Sequence, residues 1–186
     1  MVVVSSRLVF DIAFHTPFRV GTGSASNGLD DSVNRNNPLP GSSLKGLMRA
    51  ASRDVLAAPD DLINSVFGTE RLESPWAWTD AVLESAKVQV QARIKIDEAT
   101  GTVEKDFLFI AEQIESQGAH FEVVQRSRLG APELLRHEAL LNLAAVAVRQ
   151  IGADRRRGLG WVTISPSAGP ADITRLLTLV RGGTHA

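Results

Sequence analysis

Residues Asp30–Arg49 read DDSVNRNNPLPGSSLKGLMR. Two adjacent carboxylates lead into a turn built on Pro38, Pro40 and Gly41, and then into a Ser-Ser-x-Lys helix entry. Ser42 or Ser43 is the expected N-cap. Leu44, Leu47, Met48 and Ala51 give an apolar stripe at helical spacing, so the helix is expected to run to about Ala57. A helix N-terminus offers free N–H groups and a dipole that favours anions. Ser42, Ser43 and Lys45 add donors there, and Arg49 follows one turn later on the same face. The bland alternative is an ordinary helix cap. The order GxxxxGK[ST] is missing, so this is not a P-loop.

Upstream, Val2–Thr16 alternates, with Leu8, Phe10, Ile12 and Phe14 on one face, as a half-buried strand does. Phe18–Asn37 is loop by composition, rich in Gly and Asn. Downstream, Asp61–Phe67 is expected as a short helix and Trp76–Leu83 as a strand. Val88–Ile96 and Val103–Glu112 form a hairpin about the Thr100-Gly101 turn, with Phe107 and Phe109 on one face. Ala119–Arg126 is another strand. Glu133–Ile151 is the longest helix, closed by Gly152 as a left-handed cap. Trp161–Ile164 is a last strand and Ala171–Val180 a terminal helix. A helix after the first strand and another before the last strand give an α+β, ferredoxin-like βαββαβ core with an inserted hairpin. The whole chain, 1–186, is expected to be one domain.

Composition narrows the function classes. A hydrophobic fraction of 44% supports a packed core. The apolar run Ala139–Val148 is interrupted by Asn142 and too short to span a bilayer, and MVVVSSR does not read as a signal peptide. No membrane association and a cytoplasmic location are expected. The absence of cysteine excludes disulfides, thiolate zinc sites and thiol catalysis. A net charge of −1 argues against coating nucleic acid by bulk charge, but not against a local basic groove. With no tyrosine and 5% aromatics, a broad base-stacking platform is poorly supported.

Three stretches carry chemistry. Gly152–Trp161 reads GADRRRGLGW, so Arg155, Arg156 and Arg157 sit among glycines, including Gly158 and Gly160. Glycines admit close backbone approach and arginines clamp phosphates. The alternative is a tight turn with solvated arginines. PGSSLKGLMR is the second stretch. The third is Asp30–Asp31, a pair able to hold a hydrated divalent ion or move a proton, although such pairs more often cap a turn. His15, His120, His137 and His185 show no metal-ligand spacing, and no Ser/His/Asp triad is readable.

VGTG followed by PLPGSSLKGLMRAA, then VFGT with WAWTDA, then RIKIDEATGTVEKDFLFIAEQIESQGAHFE, then IGADRRRGLGWV, occur in that order. Together they resemble the RAMP superfamily of CRISPR proteins, and within it the repeating backbone subunit of type III effector complexes. The resemblance covers nearly the whole chain. It implies a modified RNA-recognition fold whose copies stack along a crRNA guide beside other effector subunits. It further implies that Gly41, Ser42, Ser43, Lys45 and Arg49, with Arg155–Arg157, Gly158 and Gly160, hold the guide backbone. Arg19 falls where relatives place a cation on the guide. A thumb hairpin at about 90–112 would separate guide from target RNA.

In cleaving relatives an Asp-Ser pair before an Arg and the Pro-Gly-Ser-Ser run cuts target RNA with a divalent metal. Asp31-Ser32 with Arg35 matches that pattern, which places the catalytic and Mg2+-binding role on Asp31, with Asp30 second. The chain is short for the backbone subunit and its loop is Asn-rich at Asn27, Asn34, Asn36 and Asn37. A non-catalytic or end-capping subunit that only binds guide RNA is therefore the alternative. A stand-alone histidine endonuclease is disfavoured, because those enzymes carry two ferredoxin-like units.

Overall fold

The computed structural model describes residues 5–23, 29–96 and 103–182. The expected Thr100-Gly101 turn, the side chain of Phe107, and Val2–Val4, Asn27, Gly28 and His185 lie outside what is described.

The alternation after Ser6 folds as strand β1, Arg7–Phe14, with Phe10 and Ile12 buried and Asp11 exposed. Helix α1, Gly41–Asp54, and helix α2, Asp60–Phe67, follow. Strands β2, Trp76–Trp78, and β3, Val82–Glu84, replace the single strand expected over Trp76–Leu83. Then come the hairpin strands β4, Lys87–Ile96, and β5, Val103–Glu115, and strand β6, Gly118–Gln125. Helix α3, Ala131–Ala147, strand β7, Val162–Pro166, and helix α4, Ile173–Val180, complete the chain.

The core sheet runs β2-β6-β1-β7, every pair antiparallel, with β3 also on β6. β2 pairs with the far end of β6 and β3 with its start, so the two share one lane. Counting that lane once, the order is second, third, first, fourth. This is the ferredoxin-like βαββαβ arrangement. The lane breaks where Asp80 turns away to accept the Gly41 N–H (2.8 Å). The hairpin β4-β5 is a separate two-stranded sheet inserted between β3 and β6. Its two ends meet the core at one rung, because Glu84 pairs with Gly118. Ser116 Oγ ties that crossing, donating to Glu84 O (2.6 Å) and Gly118 O (2.9 Å).

The helices pack on one face of the sheet. Phe10 stacks on Phe121, 5.2 Å between ring centres, and Leu44, Met48, Leu140 and Leu141 close over them. Two helix boundaries depart from the sequence reading. Neither Ser42 nor Ser43 caps α1; Pro40 holds the cap position, and the cap bond comes from Asp80. α3 ends at Ala147 rather than Ile151, because Gln150 and Ile151 are drawn into backbone pairing with Trp161 and Gly160. Gly152 (φ 81°) is thus not a helix cap. Among the described residues no helix is long and apolar enough to cross a membrane.

Candidate nucleic-acid interface

After β1 the chain is stitched to the hairpin base. Phe18 and Ile114 exchange both backbone hydrogen bonds (2.9 and 2.7 Å). This delivers Arg19 to the junction of three segments, with its side chain only 6% exposed. Its Nη2 donates to Asp154 of the glycine-rich turn. Its Nε lies 3.4 Å from Asp31 Oδ2. Arg93 of β4 reaches the same Asp154 oxygen at 2.8 Å, and Arg157 stands 4.0 Å from the other. The Arg19 guanidinium also lies over the Phe109 ring, 5.5 Å from its centre. Three cations therefore share two carboxylates in a half-sheltered knot. Burial pushes the Asp154 carboxyl up, but the Arg93 hydrogen bond and the charges of Arg19, Arg93 and Arg157 outweigh it and hold it below the usual carboxylate range. Backbone packing fixes the knot from below. Ala153 N–H donates to Arg19 O (2.7 Å), and a Cβ on Gly152 would sit 2.2 Å from that same oxygen.

The acidic pair is added to β5 like a short extra strand. Asp30 N–H donates to Ile110 O (2.8 Å), Ile110 N–H to Asp30 Oδ2 (2.7 Å), and Glu112 N–H to Asp31 O (3.1 Å). Glu112 is 3% exposed and closes the clamp. It accepts from Val33 N–H (3.1 Å) and from Arg35 Nη2 (2.5 Å). The Arg35 hydrogen bond lowers the Glu112 carboxyl against the effect of burial. Asp31 therefore has a fixed backbone and a carboxylate turned inward, against Arg19 and into the space a side chain on Gly21 would fill.

This donor set does not fit a resident divalent ion. One Asp31 oxygen faces a guanidinium, and the other is buried with no hydrogen-bond partner among the described residues. An Asp30 oxygen is taken by a backbone N–H. Among the described residues no three His, Cys, Asp or Glu side chains gather as ligands.

The α1 entry is a second cationic locus. Gly41 N–H is taken by Asp80 Oδ1, while Ser43 and Leu44 N–H groups both donate to Pro40 O (3.0 and 3.2 Å). Gly41 must be glycine, since a Cβ there would lie 2.5 Å from Trp78 O. Ser42 is exposed and Ser43 half-buried. Lys45 Nζ sits 5.3 Å from the Trp78 ring centre; burial and then Arg49 lower its pKa. Arg49 donates to Asn64 Oδ1 of α2 (3.2 Å). A hollow of about 270 Å³ opens here, lined by Gly41, Ser42, Lys45, Glu73, Trp78 and Arg126 among others.

The arginine turn is the third. Arg155, Arg156 and Arg157 form one exposed 3-10 turn between left-handed Asp154 (φ 55°) and Gly158 (φ 84°). Gly160 (φ 72°) braces it: a Cβ there would meet Ile151 O at 1.9 Å, and its N–H donates to Pro17 O (2.8 Å). Of the residues singled out from sequence, the fold unites Arg19, Asp31 and Arg157 around Asp154. It leaves Ser42, Ser43, Lys45 and Arg49 on α1, facing β2 and α2. Asp154, Glu112, Arg93 and Asp80 were missed. A buried-face charge inside the apolar alternation of β5 was the one readable signal, and it pointed to Glu112.

An antiparallel ferredoxin-like sheet, helices on one face, an inserted hairpin and a glycine-braced arginine turn define a modified RNA-recognition fold. The family model of the RAMP superfamily matches residues 11–163, and the chain belongs to that superfamily. Among solved structures it is similar to a chain of the type III-B Cmr-beta complex in the apo state. The TM-score is 0.67 at 15% identity, covering 90% of this chain and 98% of that one. A chain of type III-B Cmr-beta bound to cognate target RNA gives 0.67 at 13% identity, covering 92% and 98%. Comparison with curated proteins gives no match.

Proposed function

We propose that this chain is a guide-RNA-binding subunit of a type III CRISPR effector complex, stacking with copies of itself and with other effector subunits along the crRNA. The observation that carries this reading is the arginine turn: three exposed guanidiniums on one turn, joined through Asp154 to Arg93 on strand β4 of the hairpin. Exposed arginines with few competing acids are suited to phosphate, not to base edges, which fits a guide held independently of its sequence. The α1 entry supplies further contacts through Ser42, Ser43, Lys45 and Arg49. Similarity to a complex whose structure holds target RNA supports the class of partner. Replacing both Lys45→Ala and Arg49→Ala should sharply reduce the guide RNA that co-purifies with the assembled complex. Guide recovery equal to that of the unaltered complex would count against the α1 locus.

A second reading adds target-RNA cleavage by Asp31. It is favoured by position: the Asp31 backbone is fixed midway along β5 of the hairpin, where a strand passing along the hairpin would reach it. To act on a 2′-hydroxyl its carboxylate must leave Arg19. Asp31→Ala should then lower target cleavage at least about 100-fold, the scale of a lost general base, while guide content is unchanged. Undiminished cleavage would leave the purely RNA-binding subunit as the function.

A further inference from the structure

We propose that Trp161 and His15 form a stacking site for a base of single-stranded RNA, at the end of the open sheet face beside the arginine turn. The inference rests on the RNA-binding reading above and adds a base contact to its phosphate contacts.

Among the described residues the sheet has helices on one face only. Phe10, Ile12, Val162 and Ile164 point into that layer, each at most 3% exposed. The alternate residues Asp11, Ala13, Thr163 and Ser165 point to the open side and are exposed. The ladder continues one rung past Phe14 and Val162, because His15 N–H donates to Trp161 O (2.8 Å). By the pleat, His15 and Trp161 share the open side with Ala13 and Thr163. Trp161 is 51% exposed, whereas Trp76 is 2% exposed. An indole left in water is uncommon for a residue of this size, and here nothing in the fold requires it.

The Trp161 backbone and the His15 ring are both held in place. Trp161 N–H donates to Thr16 Oγ1 (3.0 Å), and the preceding Gly160 is pressed on Ile151 O. His15 Nε2 lies 2.8 Å from Thr163 Oγ1, which fixes its imidazole. Such preorganisation lowers the ordering cost of a contact. The charge near the face is uneven. Glu122, paired with Arg7, and Asp11 lie further along it, whereas Arg157 ends the arginine turn four residues before Trp161 in the chain. A phosphate backbone drawn to the turn would bring its bases to that end. Nucleobases of single strands stack on Trp and His.

The test is fluorescence anisotropy of the full chain with a labelled oligouridine RNA of about 12 nucleotides, a span within single-strand site sizes. A ribose-phosphate RNA of the same length without bases serves as the comparison. Trp161→Ala should weaken oligouridine binding at least about fivefold, and Trp161→Phe should restore most of it. Neither should alter binding of the abasic strand. The salt dependence of binding should keep its slope, since no phosphate contact is lost. Equal oligouridine affinity for Trp161→Ala and the unaltered chain overturns the stacking site while leaving the RNA-binding reading intact. So does an equal loss on the abasic strand. A chain that binds neither strand overturns both. Self-association abolished by Trp161→Ala, with RNA affinity unchanged, would instead make the patch a protein contact.

Discussion

Arg19 and the Arg155–Arg157 turn are linked through one carboxylate yet occupy opposite surroundings. Arg19 is buried, shared by Asp31 and Asp154 and set against Phe109. The three turn arginines are exposed, and among the described residues only Arg157 of these approaches an acid, at 4.0 Å. A guanidinium out of water must be matched by charge and hydrogen bonds, so it becomes part of the framework. One left in water costs little to hold and remains available to an incoming anion. Asp154 divides the two roles: its left-handed backbone turns its own side chain inward and sends the next three outward.

The largest effect is expected from removing the buried partner. Arg19→Ala leaves Asp31 with no cation among the described residues and Asp154 with Arg93 and Arg157, and should lower stability by about 3 kcal/mol in urea denaturation of the full chain. A loss below about 1 kcal/mol would place Arg19 energetically with surface pairs and erase the contrast.

A smaller effect is expected from pH. The folded Asp154 carboxyl titrates below its unfolded range. Its contribution is therefore complete above about pH 4 and is lost as pH falls through the folded value. Asp154→Asn should be less stable than the unaltered chain at neutral pH, with the gap narrowing in acid. Thermal unfolding followed by circular dichroism across pH would check it. A gap that stays constant would mean the charge of Asp154 is not what matters.

The smallest stability effect belongs to the turn. Replacing Arg155, Arg156 and Arg157 together by alanine should change stability by no more than about 0.5 kcal/mol. The same variant should reduce the salt slope of single-stranded RNA binding by about 2, which is roughly 0.7 for each lost phosphate contact. An unchanged slope would remove the turn from the RNA interface.

Much of the fold was legible because it rests on local periodicity. Leu8, Phe10, Ile12 and Phe14 announced β1, and Phe10 and Ile12 are buried as that pattern requires. The hairpin and the order of elements followed from turn residues and alternation. What was not legible depends on partners remote in the chain. Arg19 meets Asp154 across 135 positions and Arg35 meets Glu112 across 77. No window of sequence reveals such pairs. The end of α3 was misread for a related reason. Val148 and Ile151 keep the helical spacing and Arg149 and Gln150 suit a helix, but pairing with Gly160 and Trp161 outweighs local preference. At α1 the serines looked like caps, and a distant Asp80 does that job instead. Among the candidate residues, type was readable from sequence but orientation was not: the inward direction of the Asp31 carboxylate, against Arg19, has no local sequence signal.

The single rung joining Glu84 to Gly118 has a consequence for how this molecule can vary. The hairpin leaves and re-enters the body at paired positions, as an appendix does, and contributes no lane to the main sheet. The ladders of the core sheet therefore contain no residue of β4 or β5, although Ile110, Glu112 and Ile114 of β5 anchor the Phe18–Asp31 segment. Beyond the Arg93–Phe109 rung the hairpin can lengthen or shorten without re-registering a single core strand. Reach is thus a freely heritable dimension of the protein, separable from its foldability.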